Sequence, residues 1–176
     1  MFLKQYEVVL LGENNVGKTE ILSKLQFGKS SPENDMQLSN QFIRYTVKNI
    51  FDEKSLSFNI WDTPGDHFYI FALNRNIKNA DVVILMYDVT NEKSFIELKE
   101  FWYKLAKDYA KKNAIYAVVA NKSEFDPKIS NNDGEDFAKS IGAVFANTQI
   151  RNEKYTKNLF ELIAYKIINP NFNLEK

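Results

Sequence analysis

The sequence predicts an α/β fold with a mostly parallel six-stranded sheet, helices on both faces of the sheet and one antiparallel hairpin at its edge. Three nearly continuous apolar runs have the length of strands, at residues 6–11, Val82–Asp88 and Ile115–Asn121. Such runs are typical of parallel strands that are buried on both faces. Segments with helical periodicity lie between them, and this alternation favours an open, doubly wound sheet whose ligand binds beyond the carboxyl ends of the strands.

The other predicted strands complete this sheet. Residues 56–62 form a fourth apolar run, which can pair with residues 42–50 through the polar turn at 52–55. Two strands joined by so short a polar connection predict the antiparallel hairpin. A helix at 133–140 and a strand at 143–147 continue the alternation.

Two longer helices are predicted from apolar residues spaced three and four positions apart, which form one stripe on a helix. The clearest stripe covers residues 95–109, and Thr90 or Asn91 can cap its start. A second stripe covers residues 159–167 and ends before Pro170, because the residue that precedes a proline is disfavoured in a helix.

The length and composition limit the possible classes of protein. The 176 residues fit a single domain, which we place at residues 1–170, followed by a short polar tail at 171–176. Lys plus Arg and Asp plus Glu both number 23, so the net charge is zero and gives no indication of nucleic-acid binding. The absence of cysteine excludes disulfides and thiolate metal sites. No apolar run approaches the roughly 18 residues that span a bilayer, so we expect no transmembrane segment.

The first strand leads directly into a loop with the pattern G-x-x-x-x-G-K-[ST], which begins at Gly12 and precedes a helical segment. Backbone N–H groups of such loops converge on phosphate oxygens, the lysine reaches the terminal phosphates and the hydroxyl binds Mg²⁺. The pattern therefore predicts a P-loop NTPase fold, with Lys18 as a catalytic residue and Thr19 as a metal ligand. The alternative is an ordinary turn in which Lys18 points into water. The predicted nucleotide contacts of this segment are Asn14, Asn15, Val16, Gly17, Lys18, Thr19 and Glu20.

Asn15 occupies a loop position at which phosphate-binding loops often need a positive φ. Asparagine adopts that conformation more readily than most residues, so we expect it to replace glycine there.

Polar residues also follow two later strands. Asp62 ends the fourth run and can hold Mg²⁺ through water, while the N–H of Gly65 can contact a γ-phosphate. Asn121, Lys122 and Glu124 follow the strand that ends at residue 121. A solvated turn would explain either cluster alone, but at the ends of successive strands after a phosphate loop they predict one site.

These motifs resemble those of the Ras superfamily, and of Rab proteins in particular, from residue 6 to residue 168. The best local matches are GKT at 17–19, IWDT at 60–63 and YDVTNEKSF at 87–95. The resemblance implies a molecular switch that binds GTP or GDP with Mg²⁺, hydrolyses GTP and regulates vesicle or membrane trafficking. It also implies two switch segments, here about residues 29–41 and 64–78, that contact effectors, an exchange factor and a GTPase-activating protein.

The water-orienting position departs from the family pattern. Asp66 stands where the family has a glutamine that orients the attacking water, and a carboxylate adds negative charge beside the phosphate. We therefore expect slow hydrolysis, through a water held near Gly65 and Asp66. His67, the single histidine of the chain, follows. Two interpretations are open: a one-residue shift recruits His67 to catalysis, or it is an exposed histidine of the switch.

The base-reading positions depart as well. Glu124 replaces the aspartate of the family's Asn-Lys-x-Asp motif and can accept the same pair of guanine N–H groups only if the backbone retreats slightly. Thr148-Gln149-Ile150 replaces the later Ser-Ala-Lys element, and Ser30 stands where a phenylalanine usually covers the base. In the first switch, Gln37 aligns with the threonine that senses the γ-phosphate, and Ser39 is the nearest hydroxyl.

Three functions fit these residues: a Rab-like GTPase, a pseudo-GTPase interaction module that binds nucleotide weakly or without hydrolysis, and a phosphate-loop enzyme for another nucleotide. We expect a monomer that is cytoplasmic or peripheral on endomembranes. Rab proteins end in a tail with prenylated cysteines, and this chain has no cysteine. Either the sequence is truncated or the protein works without a lipid.

Overall fold

A single sheet of six strands organises the chain, of which the computed structural model describes residues 4–27, 42–48 and 55–171. The strands are β1 (Gln5–Leu11), β2 (Phe42–Val47), β3 (Leu56–Trp61), β4 (Val82–Asp88), β5 (Ile115–Asn121) and β6 (Val144–Asn147). The helices are α1 (Lys18–Phe27), α2 (Ile70–Asn79), α3 (Glu92–Glu97), α4 (Tyr103–Tyr109), α5 (Asn131–Ser140) and α6 (Glu153–Ile168).

The strand order is β2-β3-β1-β4-β5-β6, and every neighbouring pair is parallel except β2 and β3. This arrangement confirms the predicted mostly parallel sheet with an antiparallel hairpin at one edge. The predicted extension of the hairpin to residue 50 and most of its turn, at 52–54, lie outside the described residues. Because β1, β3, β4 and β5 are parallel, their carboxyl ends meet at one edge of the sheet.

Two hydrophobic cores cover the two faces of the sheet. Val8 and Leu10 of β1 lie in the core that includes residues of α1 and α6, whereas Val9 and Leu11 lie in the core on the other face. That second core includes Trp102 and residues of α2 and α5. All seven residues of β4 are buried. Continuous burial on both faces explains why the central strands are continuously apolar in sequence, and it confirms helices on both faces.

The helix predicted at 95–109 is interrupted by a π-helical turn. α3 continues through Leu98–Trp102 in π-helical geometry and then into α4. Asn91 is the cap, because its side chain accepts a hydrogen bond from the backbone N–H of Lys93 at 3.1 Å. Thr90 instead donates from its N–H and its hydroxyl to Asp88 Oδ1.

The remaining helices agree with the sequence except for one. α6 ends at Ile168, two residues before Pro170, as predicted. α5 begins at Asn131, after a reciprocal capping box between Ser130 and Asp133. α2 and the 3₁₀ turn His67–Tyr69 before it were not predicted as helices. No helix within the described ranges is long and apolar enough to cross a membrane.

Candidate nucleotide-binding site

Two residues of the loop after β1, which we call the phosphate loop, have a left-handed backbone conformation. Asn15 has φ 63° and Gly17 has φ 100°. The positive φ of Asn15 confirms the conformation expected from the sequence. At Gly17, a Cβ atom would lie 2.1 Å from Nδ2 of Asn121, so the loop approaches the end of β5 too closely for any side chain.

Lys18 is folded over the loop. Its side chain is buried, and Nζ donates to the carbonyl oxygens of Gly12 and Glu13, each at 2.7 Å. Burial lowers the pKa of Lys18 to about 8, although the negative charges of Asp62, Glu13 and Glu20 oppose this shift. The alternative in which Lys18 points into water is therefore wrong.

Thr19 and Asp62 meet beside the loop. The Thr19 hydroxyl donates to Asp62 Oδ2 at 2.6 Å, and Asp62 Oδ1 is buried and has no hydrogen-bond partner among the described residues. Burial raises the pKa of Asp62, while the hydrogen bond from Thr19 and the charge of Lys18 oppose this rise. A hydroxyl beside a carboxylate with an unpartnered oxygen is a set of oxygen donors that fits Mg²⁺.

The segment after β3 packs directly on the phosphate loop. The hydroxyl of Thr63 donates to the carbonyl oxygen of Leu10. A Cβ atom at Gly65 would lie 2.4 Å from the backbone nitrogen of Asn14, so only glycine fits at this contact. The structure therefore brings Gly65 to the loop, as the sequence predicted.

The side chains of Asp66 and His67 differ in their contacts with the phosphate loop. Asp66 is exposed, and its Oδ1 accepts a hydrogen bond from the N–H of Phe68 at 2.9 Å. His67 Nε2 lies 2.8 Å from Glu13 Oε1, and its ring stacks on Phe101 with 3.8 Å between centroids. His67 is thus held against the side of the loop and is only partly exposed.

Asn121 connects the phosphate loop to the loop after β6. Its Nδ2 donates to the carbonyl oxygen of Val16 at 2.8 Å, and its Oδ1 accepts from the hydroxyl of Thr148 at 2.7 Å. Asn121 and Thr148 are both buried. Asn121 therefore holds the phosphate loop in place, and Thr148 orients the side chain of Asn121. Both were predicted from the sequence to lie on the base side of the site.

Lys122 extends along the end of β4. It has φ 63°, and its Nζ donates to Asp88 Oδ2 at 2.5 Å. Burial alone would raise the pKa of Asp88, but hydrogen bonds from Lys122 and Thr90 hold it below its ordinary value. The pair fixes the position of the Lys122 side chain.

Glu124 contacts the loop that follows β6. Its Oε1 accepts from the backbone N–H groups of Ile150 at 2.8 Å and Arg151 at 3.3 Å, and its Oε2 is buried with no partner in the described part of the chain. Lys24 of α1 is buried nearby, and its Nζ donates to the carbonyl oxygen of Gln149 at 2.5 Å. Burial lowers the pKa of Lys24, and the charge of Glu124 opposes this shift. The two side chains therefore hold three consecutive residues of this loop, 149–151.

Comparison with known proteins agrees with this architecture. The family model described as Ras family matches residues 7–169. The chain belongs to the Ras family. Ras-related protein Rab-22A from Homo sapiens is 28% identical over 176 residues, which cover 99% of this chain and 89% of that protein. Rab-22A from Canis lupus familiaris is 27% identical over 175 residues, covering 98% and 89%. These findings confirm the predicted resemblance to Rab proteins and the predicted fold class, and the chain is in general terms a small GTPase.

Two polar residues of this Ras-family site were not predicted from the sequence. The sequence places Asp88 at the end of a strand and in the family-matching segment 87–95 but predicts no contact for its side chain, and it predicts no role for Lys24. The available signal for Lys24 was its place on α1, three residues after Ile21 and next to Leu25, on the apolar side of the helix. A lysine on that side is rarely buried unless a polar group receives it.

The first switch segment of this Ras-family chain lies outside the described residues. That applies to the predicted departures at Ser30 and Gln37, and to the hydroxyl of Ser39. The second predicted switch segment, at 64–78, contains the turn His67–Tyr69 and most of α2.

Proposed function

We propose that this chain is a Rab-like GTPase switch that binds GTP and GDP with Mg²⁺ and hydrolyses GTP slowly. The observation that carries the proposal is the buried side chain of Lys18, which lies next to the hydrogen-bonded pair Thr19 and Asp62. All three follow or contact the phosphate loop, in which Asn15 and Gly17 have a positive φ. Proteins of this type bind a nucleoside triphosphate with a phosphate loop and its lysine, and bind Mg²⁺ with a hydroxyl and a carboxylate. All of these groups lie together at one edge of the sheet, which supports phosphate binding.

Phosphate binding would rest on the loop and Lys18. The backbone N–H groups from residue 14 to residue 19 and the start of α1 offer donors and a favourable helix dipole for anions. Lys18 Nζ has two carbonyl partners at 2.7 Å and is almost without solvent, so an incoming phosphate would supply the negative charge that stabilises it.

Thr19 and Asp62 would hold Mg²⁺. When bound, this ion would neutralise negative charge on the phosphate oxygens. Asp62 would have to stay ionised for this role, and the hydrogen bond from Thr19 together with the charge of Lys18 favours that form. The unpartnered, buried Oδ1 atom of Asp62 is the further observation that supports a ligand here.

Guanine would be read by Glu124, with Asn121, Lys122, Thr148 and Gln149 lining the base side. One carboxylate oxygen of Glu124 is occupied by two backbone donors, and the other is buried and unpartnered. Because that oxygen is buried, the carboxylate would have to rotate or the loop to shift before it could accept from the N–H groups of a base. We therefore expect guanine preference with a weaker base contact than two free oxygens would give.

Slow hydrolysis follows from the position of Asp66. Its carboxylate caps the turn at Phe68 and carries negative charge close to Gly65, which would adjoin the γ-phosphate. Lys18 would offset part of the charge on the phosphate oxygens, but the segment 64–69 contains no glutamine or asparagine to supply a water-orienting amide.

The likeness to Rab-22A motivates a role in vesicle or membrane trafficking, at a peripheral site on endomembranes or in the cytoplasm. Effectors, an exchange factor and a GTPase-activating protein would bind through the switch segments at 29–41 and 64–78. Phe68 and Tyr69, which are 83% and 51% exposed, support a contact surface in the second of these. We propose a monomer.

Titration with fluorescent GDP, with Mg²⁺ and with the ion removed by EDTA, tests the nucleotide site. We expect Lys18→Ala to weaken GDP binding by more than about 100-fold, because a charge-assisted phosphate contact is lost from a buried site. Lys104→Ala is a suitable control, since Lys104 is an exposed lysine that forms an ion pair with Glu100 on the same helical segment. Absent binding, or affinity that Lys18→Ala leaves unchanged, would contradict the proposal.

A second candidate is a pseudo-GTPase module that binds nucleotide weakly or without hydrolysis. The observations that favour it are the use of Asp66 as a cap for Phe68 and of Glu124 as a support for its own loop. Single-turnover GTP hydrolysis distinguishes the two. A rate clearly above the uncatalysed reaction that is lost in Thr19→Ala would reject the pseudo-GTPase, and no detectable rate would favour it.

A further inference from the structure

Three potential metal ligands from three elements converge beside the phosphate loop. Glu13 lies in the phosphate loop, His67 lies in the turn before α2, and Glu97 is the last residue of α3. One ligand atom from each lies within 4.8 Å of the others. His67 Nε2 is 2.8 Å from Glu13 Oε1 and 3.9 Å from Glu97 Oε2. None of the three is part of the Thr19–Asp62 pair.

The negative charge of this cluster is compensated only in part, by the nearby charge of Lys18. Within the described ranges, neither Glu13 nor Glu97 forms an ion pair with a lysine or arginine, and only His67 approaches both. Lys18 is close to Glu13, but it donates to the backbone carbonyl of Glu13 rather than to its carboxylate. The carboxylates are 23% and 28% exposed, so water screens their repulsion only in part. A cation between them would relieve that repulsion.

Neighbouring side chains fix the directions of two of the three ligands. Nε1 of the fully buried Trp102 donates to Glu13 Oε1 at 2.9 Å. The ring of His67 stacks on Phe101 with an angle of 11° between the planes. Hydrogen bonds and packing of this kind hold metal ligands in place and raise the affinity of a site.

We propose that Glu13, His67 and Glu97 bind a divalent transition-metal ion of the Zn²⁺ type. One imidazole and two carboxylates are ligands that zinc accepts, whereas Mg²⁺ and Ca²⁺ favour oxygen alone. In a tetrahedral zinc site with bonds of about 2.1 Å, ligand atoms lie roughly 3.4 Å apart. The two distances from His67, 2.8 and 3.9 Å, bracket that value, and the two carboxylates lie within 4.8 Å of each other, so binding would need the carboxylates to move by about 1 Å. Three protein ligands leave the fourth position to water.

The ion would tie the phosphate loop, the start of the second switch segment and α3 together. It would replace the hydrogen bond between His67 and Glu13, while the hydrogen bond from Trp102 to Glu13 would remain as support. Because the metal would bind the folded chain and not the unfolded one, it would raise the melting temperature.

The chain has one histidine and no cysteine, so no other imidazole and no thiolate can bind Zn²⁺ in the test. Calorimetric titration of the full chain with Zn²⁺, without a histidine tag and in the presence of Mg²⁺, should give one site. His67→Gln should weaken Zn²⁺ binding by more than about 100-fold, because even outer partners of a metal contribute 10–100-fold. Glu97→Gln should weaken it strongly as well. Glu100→Gln, the same charge change three residues later on an exposed side chain, should leave it unchanged.

¹⁵N NMR of the single histidine ring tests whether His67 binds the metal in the wild-type chain, without a substitution. We expect Zn²⁺ to shift the Nε2 resonance of His67 in the wild-type chain and a Co²⁺ complex to show visible absorption typical of low coordination. Zn²⁺ binding that leaves the ring resonances unchanged, binding that survives both His67→Gln and Glu97→Gln, or no binding at one equivalent would each overturn the proposal. Nucleotide binding at Lys18 is measured separately, so either proposal can fail alone.

Discussion

The Oε1 atom of Glu124 lies 2.8 Å from the backbone nitrogen of Ile150, which donates a hydrogen bond to it. The same oxygen accepts a longer hydrogen bond, of 3.3 Å, from the N–H of Arg151, while Oε2 is buried and has no partner among the described residues. The carboxylate therefore stabilises the loop after β6 with one oxygen. In the function that we propose, the other oxygen contacts the base, so one residue would serve both the loop and the base.

Glu124→Gln should change which base the site prefers. The amide oxygen can still accept from Ile150, but an amide N–H₂ group then replaces the free carboxylate oxygen and faces the N–H donors of guanine. We expect GDP affinity to fall roughly 10–100-fold, as for the loss of a hydrogen bond to a charged group. Xanthine nucleotide, which offers a carbonyl in place of the amino group, should lose less.

Competition of GDP, XDP and ADP against fluorescent GDP measures this preference. Glu135→Gln, on the surface of α5, is a matched control because its only described ion pair is a 4.0 Å contact with Lys139. Equal losses for GDP and XDP would show that Glu124 supports the loop without reading the base.

Asp66→Gln should accelerate single-turnover GTP hydrolysis. The substitution removes a negative charge near the γ-phosphate position and supplies an amide that can orient water, so we expect a gain of about tenfold or more. Asp66→Asn is the matched comparison, because its Oδ1 can still cap the N–H of Phe68 while the charge is removed. If the asparagine variant accelerates as much as the glutamine variant, charge is the cause. If neither variant accelerates, the slow rate has another origin.

The order of strands and helices was predictable because burial leaves a simple pattern. β4 and β5 have the predicted bounds, since both are continuously apolar in sequence and lie in the centre of the sheet. The phosphate loop was predictable because its chemistry uses adjacent residues at fixed spacing. α2 was missed; its start at Tyr69 has no side-chain cap, so the sequence carries no start signal.

Contacts between distant elements could not be predicted from spacing. Glu124 binds Ile150, 26 residues later, and Lys24 binds Gln149, 125 residues later. His67 was considered as a catalytic or an exposed residue, and its contact with Glu13 was not foreseen. In each case the partner lies on another strand connection, and only the fold brings the two side chains together.

Asn15→Ala should destabilise the nucleotide-free protein by about 1 kcal/mol, because alanine is strained at φ 63°. Asn15→Gly should be nearly neutral, since glycine adopts this conformation freely. Asn14→Ala is the matched control: Asn14 is also exposed and adjacent, but its φ is not positive. Chemical denaturation of the three variants measures the free energies of unfolding. Equal losses for Asn14→Ala and Asn15→Ala would contradict the backbone explanation.

Nucleotide binding should take up a proton at mildly alkaline pH. In the free protein burial lowers the pKa of Lys18 to about 8, and the negative phosphates would raise it again in the complex. Affinity should therefore be constant below that pKa and should fall as pH rises above it, by up to about tenfold per pH unit. We expect uptake of roughly three quarters of a proton at about pH 8.5 and about a tenth at about pH 7.

Calorimetry in two buffers with different ionisation enthalpies measures this uptake. Among the described residues Lys24 is a second buried lysine whose pKa is lowered, so Lys24→Met tests which of the two takes up the proton. Uptake that persists in Lys24→Met and disappears in Lys18→Arg, whose guanidinium stays protonated, would assign it to Lys18. Uptake that is lost in Lys24→Met would instead assign it to the base side of the site. The result then separates the phosphate contact of Lys18 from the support that Lys24 gives to the loop at Gln149.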